Sequence, residues 1–252
     1  MLFRSGGKSK TKKSVVVHDS EDEAKTLSKA LSGRTVDTAV IIDTLPTMSH
    51  DQIAFLVREY KKQVKVQGKG VNLSKHIKTK ISGNFGKAAY VTALGRWESE
   101  GYWANFFYQS HSSRRELLIE ALMGRTNGEI WNIKDEFKDK RYSDNLVKCM
   151  EQELKMDKFR TAVLMVLEER RQEEQDVYPV EYRNRDVEML HKALTASKGG
   201  ESTMLEIIVR RSDSHLRAVL QTYERMYQEN FSKAALKKSN NMVVSTHSCR
   251  LH

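Results

Sequence analysis

Apolar residues recur along this 252-residue chain at spacings of three and four, and one stretch sets a pattern that two others follow. In Met204–Tyr223, MLEIIVRRSDSHLRAVLQTY, the apolar positions Met204, Leu205 and Ile208 precede Arg211 and Ser212; Leu216, Val219 and Tyr223 then fall on one helical face. Around Arg125 the same offsets carry Leu118, Ile119 and Leu122, then Thr126, then Ile130, Ile133 and Phe137. A third copy has Met48 in the arginine position, with Ile41, Ile42 and Leu45 before it and Ser49, Ile53, Leu56 and Tyr60 after it. Such spacing predicts two helices joined by a tight turn, the second opened by Ser212, Thr126 or Ser49 as its N-cap. Thr126 with Glu129, and Ser49 with Gln52, have the capping-box spacing, in which two otherwise unpaired backbone donors are satisfied. Agreement over some twenty residues in three places predicts an internal repeat.

The periodicity divides the chain into a basic tail (1–21), a first unit (22–95), a second (96–171), a linker (172–184), a partial third unit (185–238) and an irregular tail (239–252). Arg4, Lys8, Lys10, Lys12 and Lys13 mark the first tail, and Pro179 lies in the linker. Phe231, Ala234, Ala235 and Leu236 begin a fourth helix in the last unit, with no helical pattern from Met242 onward. On that reading Leu205, Ile208 and Val219 lack part of their cover, which favours self-association.

Two prolines, thirteen glycines and abundant Lys, Glu, Leu, Ala and Met predict an all-α fold. Cys149 and Cys249 are too few for a disulfide framework, and the start MLFRSGGKSKTKK lacks the apolar centre of a secretory signal, so a cytoplasmic location is expected. Apolar runs such as Ala162–Leu167 are far shorter than the roughly 20 residues that span a bilayer, leaving peripheral membrane contact. The net charge of +10 favours anionic partners. Its densest part is Lys61, Lys62, Lys65, Lys69, Lys75, Lys78 and Lys80, with no acid from Tyr60 to Lys80, a candidate surface for anionic phospholipid. No recognisable nucleic-acid motif accompanies the charge, so nucleic acid is the weaker partner reading. The aromatic group Trp97, Tyr102, Trp103, Phe106, Phe107 and Tyr108 reads as packing rather than base stacking.

Catalytic constellations are missing: there is no zinc signature, phosphate-binding glycine loop or nucleophile elbow. Ser212, Asp213, Ser214 and His215 are contiguous at a helix start, where they cap rather than converge as a triad. Glu153 and Asp157 lie among lysines on a solvated stretch. No enzyme is expected. The remaining site type is the turn between the first two helices of each unit, where glycines let backbone carbonyls converge on a hard cation such as calcium.

Five-helix units, arginine followed by serine or threonine ahead of the third helix, and glycine-bearing first turns together resemble annexin repeats. The likeness covers about residues 22–238. It is strongest at LHKALTASKGGESTMLEIIVRRSDSHLRAVLQTY (Leu190–Tyr223) and HIKTKISGNFGKAAYVTAL (His76–Leu94). The resemblance implies a curved superhelical array whose activity is calcium-dependent binding of acidic phospholipid. It also implies calcium-binding carbonyls at Leu31, Gly33 and Thr35 in the first unit and at Ser197, Gly199 and Gly200 in the third. The acid that completes such a site falls at Lys80 in the first unit, near Glu153 in the second and near Ser239–Asn241 in the third, while Gln109-Ser110-His111-Ser112 replaces the second glycine turn. Weak, largely eroded calcium sites are therefore expected, with electrostatic membrane binding or a nucleic-acid or protein scaffold as alternatives.

Overall fold

The computed structural model describes residues 19–109 and 115–238, with the side chains of 106–109 left aside. Residues 1–18, 110–114 and 239–252 lie outside the described residues, as do the side chains of Phe106, Phe107 and Tyr108. The chain divides between Gly95 and Arg96 into two compact units.

The first unit contains α1 (Glu21–Ser32), α2 (Thr38–Thr44), α3 (His50–Gln63), α4 (Leu73–Lys80) and α5 (Gly83–Leu94). Three acids in the first turn of α1 complement its dipole, while Ala24, Leu27, Ala30 and Leu31 supply its buried stripe. Asp37 opens α2 by accepting hydrogen bonds from the Ala39 and Val40 amides. Pro46 lies in a short 3-10 turn after α2. Ser49 then caps α3 reciprocally with Gln52, each side chain bonding the other's backbone. Leu27, Leu31, Ile41, Leu56, Tyr60 and Ile77 are central to the apolar core.

Between α3 and α4 the structure adds a feature that the helix-breaking glycines only hinted at: an antiparallel hairpin, β1 (Lys65–Val66) against β2 (Lys69–Gly70). Gln67 and Gly68 both have positive φ, 51° and 75°, the handedness that lets a two-residue turn match the twist of its strands. Gly70 lies so close to the end of α3 that a Cβ there would stand 2.3 Å from the Lys61 carbonyl oxygen.

The second unit runs through α6 (Arg96–Gln109), α7 (Arg115–Leu122), α8 (Asn127–Glu136), α9 (Leu146–Glu153) and α10 (Lys158–Leu167). It continues through α11 (Val180–Thr195), α12 (Glu201–Arg210), α13 (Asp213–Tyr227) and α14 (Phe231–Lys238). Thr126 and Glu129 form the second capping box, and Ser212 accepts from the His215 amide at the head of α13. Helix α11 starts at Val180, five residues before Arg185, so part of the segment read as linker is helical.

The apolar cover expected to be missing is present. Leu205, Ile208 and Val219 are 1%, 2% and 0% exposed, because α10 packs on α12 while α14 returns Phe231 against α11 and α13. Phe231 meets Tyr223 edge to ring at 5.3 Å between centroids. The expectation of self-association through bare residues at this point therefore loses its basis.

The repeated arginines share a role that their own positions did not reveal. Arg211 holds Asp186 with two hydrogen bonds, 2.7 and 3.1 Å, and Arg125 holds Glu100 at 2.6 Å; in both cases the acid stands 25 residues earlier, on the first helix of its repeat. His215 Nε2 also lies 2.9 Å from Asp186. In the first unit Met48 packs against the core instead. Burial works against the charge of Asp186, but the bonds from His215 and Arg211 outweigh it and hold the carboxyl below its ordinary range.

Arg211→Ala should cost about 3–5 kcal/mol in urea unfolding, because it strands the buried Asp186 carboxylate. Arg125→Ala should cost about 1 kcal/mol, both partners of that pair being partly exposed. A depressed folded-state value stabilises the fold above the unfolded value near pH 4 and loses that contribution as pH falls through it. The margin of wild type over Arg211→Ala should thus be full at neutral pH and close in acid.

Candidate functional site: the first turns and the end of the fourth helix

The fourth helices of the three repeats are built alike. Helices α4, α9 and α14 are eight residues each, and each is opened by an asparagine whose Oδ1 accepts from the lysine amide three residues on: Asn72 from Lys75, Asn145 from Lys148, Asn230 from Lys233. That common register makes Lys80, Glu153 and Lys238 equivalent last residues. The third repeat's counterpart of Lys80 is therefore Lys238, ahead of the Ser239–Asn241 segment, which lies outside the described residues.

In the third repeat this residue reaches the first turn. The Lys238 ammonium donates to the carbonyl oxygens of Leu194 and Ala196, at the C-terminal end of α11. Those carbonyls carry the negative end of the helix dipole, where a cation is favoured. Ser197, Gly199 and Gly200 continue the same turn: Gly199 has φ 85°, and a Cβ on Gly200 would stand 1.9 Å from the Ala193 carbonyl oxygen. A concave site lined by Ala196–Glu201, Ala193, Met204 and Lys238 results. The Lys158 ammonium also bonds Ser202 Oγ just inside α12.

In the first repeat a Cβ on Gly33 would lie 2.8 Å from the Thr35 carbonyl oxygen, so the 33–35 turn is tightly folded after Leu31 and Ser32 end α1. The nearest acid in sequence, Asp37, is occupied in capping α2. Lys80 is exposed, and its charge together with burial lowers the His76 value, burial being the larger cause. In the second repeat Glu153 accepts a hydrogen bond from the Tyr142 hydroxyl, and the side chains of residues 109–112 lie outside those described. Among the described residues no group of three or more His, Cys, Asp or Glu side chains converges to hold a metal ion.

The seven lysines of the basic stretch are all exposed, but they do not form one cluster. Lys65 and Lys69 flank the hairpin turn with Val66, 62% exposed, between them, and Lys61 borders Gly70. Lys62 pairs with Glu59 at 2.9 Å. Lys75 lies in the first turn of α4, whereas Lys78 and Lys80 lie at its other end, roughly 10 Å along the axis from Leu73, with Lys78 over the Tyr90 ring at 5.0 Å.

The other sequence candidates are structural. Ser212 Oγ caps α13 and Asp213 pairs with Arg171. Asp157 caps α10 and pairs with Arg115. The buried Cys149 thiol is pushed up to about 12, chiefly by burial, so it stays protonated. Trp97 packs against the core of the second unit, and Tyr102 meets Trp103 edge to ring at 5.8 Å. Among the described residues no helix is long and apolar enough to cross a membrane.

These turns and repeats have counterparts in known proteins. The annexin family model matches residues 185–239. Annexin C1 of Cryptococcus neoformans var. grubii is 27% identical over 217 residues, 86% of this chain and 44% of the relative. Annexin A13 of Canis lupus familiaris is 27% identical over 219 residues, 86% of this chain and 66% of the relative. Among solved structures, annexin III superposes with a TM-score of 0.78 at 20% identity, covering 95% of this chain and 72% of that one. A calcium-bound annexin (Sm)1 superposes at 0.71 with 16% identity, covering 92% and 68%. The chain is an all-α repeat protein with the fold of the annexins, and its last repeat matches the annexin family model. It spans less than two thirds of the length of both relatives.

Glycine geometry in the turns is open to direct measurement. Gly200→Ala should destabilise by roughly 3 kcal/mol in urea unfolding, since its methyl would collide with backbone. Gly68→Ala, with open space around it but a positive φ, should cost about 1–2 kcal/mol.

Proposed function

We propose that this annexin-like chain binds anionic phospholipid surfaces chiefly through fixed positive charge, with calcium contributing weakly. The observation that carries this reading is the Lys238 ammonium on the α11–α12 turn carbonyls, together with Lys80 at the equivalent position of the first repeat. Calcium takes roughly six to eight oxygen ligands, and a carboxylate normally closes a turn of carbonyls around it. Two of the three equivalent positions hold a lysine, and the third, Glu153, is engaged by Tyr142. The carbonyls of Leu31, Gly33 and Thr35, and of Ser197, Gly199 and Gly200, are thus poor calcium sites. Calcium-bound annexin (Sm)1 supports the ancestral use of the fold, not a strong site here.

Electrostatics supplies the alternative to calcium. Each lysine close to an anionic surface contributes about 1 kcal/mol, over a Debye length of roughly 8–10 Å. Because Lys65 and Lys69 stand at one end of α4 and Lys80 at the other, only part of the set can touch a flat bilayer at once. The hairpin is the better first contact, since Val66 offers an exposed apolar tip between two lysines. This reading places the chain peripherally on a cytoplasmic membrane face.

Sedimentation with phosphatidylserine vesicles at fixed ionic strength tests it. Binding should persist in chelator, weaken with added salt, and fall when Lys61, Lys62, Lys65 and Lys69 are changed to Gln. Lys80→Glu with Lys238→Glu should create calcium stimulation that the parent lacks. Strong calcium stimulation of the parent at micromolar concentration, with indifference to the Gln changes, would overturn the proposal.

A further inference from the structure

A second charged site lies away from these turns, in the second unit. The segment after α10 is strapped across the end of α12: the Gln172 amide donates to the Arg210 carbonyl at 2.8 Å, Gln172 Nε2 donates to the Asp176 carbonyl, and Gln172 Oε1 accepts from the Ser212 amide. Beneath the strap is an open cavity of about 370 Å³ whose walls carry five arginines: Arg170, Arg171, Arg185, Arg210 and Arg211. Its size is that of a pocket for a small ligand.

The five arginines are not equivalent. Arg171 is held by Asp213 and by the Arg211 carbonyl, and Arg211 by Asp186, so these two build the wall. Among the described residues, Arg170 and Arg185 are exposed and have no carboxylate within ion-pair distance; Arg185 lies over the Tyr182 ring, at 5.4 Å. Arg210 spends one Nη on Glu168, while its other, Nη1, is shut off from solvent without an acceptor. Of the acids on the cavity wall, Glu169 is paired with Lys134 and Asp176 accepts from the Glu173 amide. Glu206 is exposed and, with Asp176, places a carboxylate on the wall opposite the arginines.

We infer that this cavity binds the phosphate group of a small phosphorylated molecule. Arg170 and Arg185 would supply the charge-assisted donors, and a small rotation of Arg210 would give its unsatisfied Nη1 an acceptor. Planar guanidinium forks match phosphate oxygens better than ammonium groups do, and a rigid wall limits the cost of ordering. The phosphate can come from a free metabolite or from a lipid headgroup, and the two sources share this chemistry.

Calorimetry on the full chain at constant ionic strength would use inorganic pyrophosphate in one arm and soluble inositol trisphosphate in another, with phosphatidylinositol-bisphosphate vesicles as the third. Saturable 1:1 binding is expected in at least one soluble arm. Arg170→Gln with Arg185→Gln should weaken it roughly tenfold or more, with an unchanged circular dichroism spectrum and melting midpoint, since neither side chain holds a carboxylate. Glu206→Gln should tighten it. Binding by pyrophosphate as well as inositol trisphosphate would assign a general phosphate site; binding by inositol trisphosphate and the vesicles alone would assign a lipid headgroup. Absence of saturable binding in both soluble arms, or binding that the double Gln variant leaves intact, would overturn the inference.

Discussion

The interaction on which each repeat of the second unit depends is a charge held between its first helix and the corner joining its second and third. Arg211 closes on the buried Asp186 and Arg125 on Glu100, so the corner that carries Ser212 or Thr126 is fastened to α11 or α6 rather than resting on apolar contact alone. A buried carboxylate in such a place is stable only while its partners remain, which gives the joint a defined geometry as well as strength. The first unit reaches the same topology with Met48 packed on its core. Only the cation is replaced there, since Glu23 still stands on α1, 25 residues before Met48.

The repeat itself was legible because caps and apolar stripes are local. Ser49 with Gln52, Thr126 with Glu129, and the positions around Arg211 state their helices through spacing alone, and the structure forms those helices. Long-range consequences were harder to read. The partner of each arginine is 25 residues away, and only a search for acids at a constant offset from Arg125 and Arg211 would have found it. The Asn72, Asn145 and Asn230 caps, each with lysine three residues later, were a second available signal, and they would have moved the third comparison position from Ser239–Asn241 to Lys238. The cover over Leu205 and Ile208 could not be foreseen from the third repeat alone, since α10 supplies part of it.

Among the described residues, positive charge stands in contrasting physical settings. Around α4 it is solvated and spread over both ends of a short helix, so its effect on a partner depends on approach and salt. At the α11–α12 turn it is a single ammonium placed on backbone carbonyls. Under the strap of Gln172 it is a group of guanidinium ions, some locked by carboxylates and some not. Net charge alone would count these as one property, although only local pairing decides which of them can accept a partner.

The ammonium on the α11–α12 turn also changes how that turn can be controlled. A metal held by carbonyls arrives from solution, so occupancy follows its concentration and a chelator can empty the site. Lys238 is attached to the chain, and its local concentration is set by the fold instead of the medium. The third repeat thereby carries a tethered cation at a place where a freely exchanging one would make the turn a sensor.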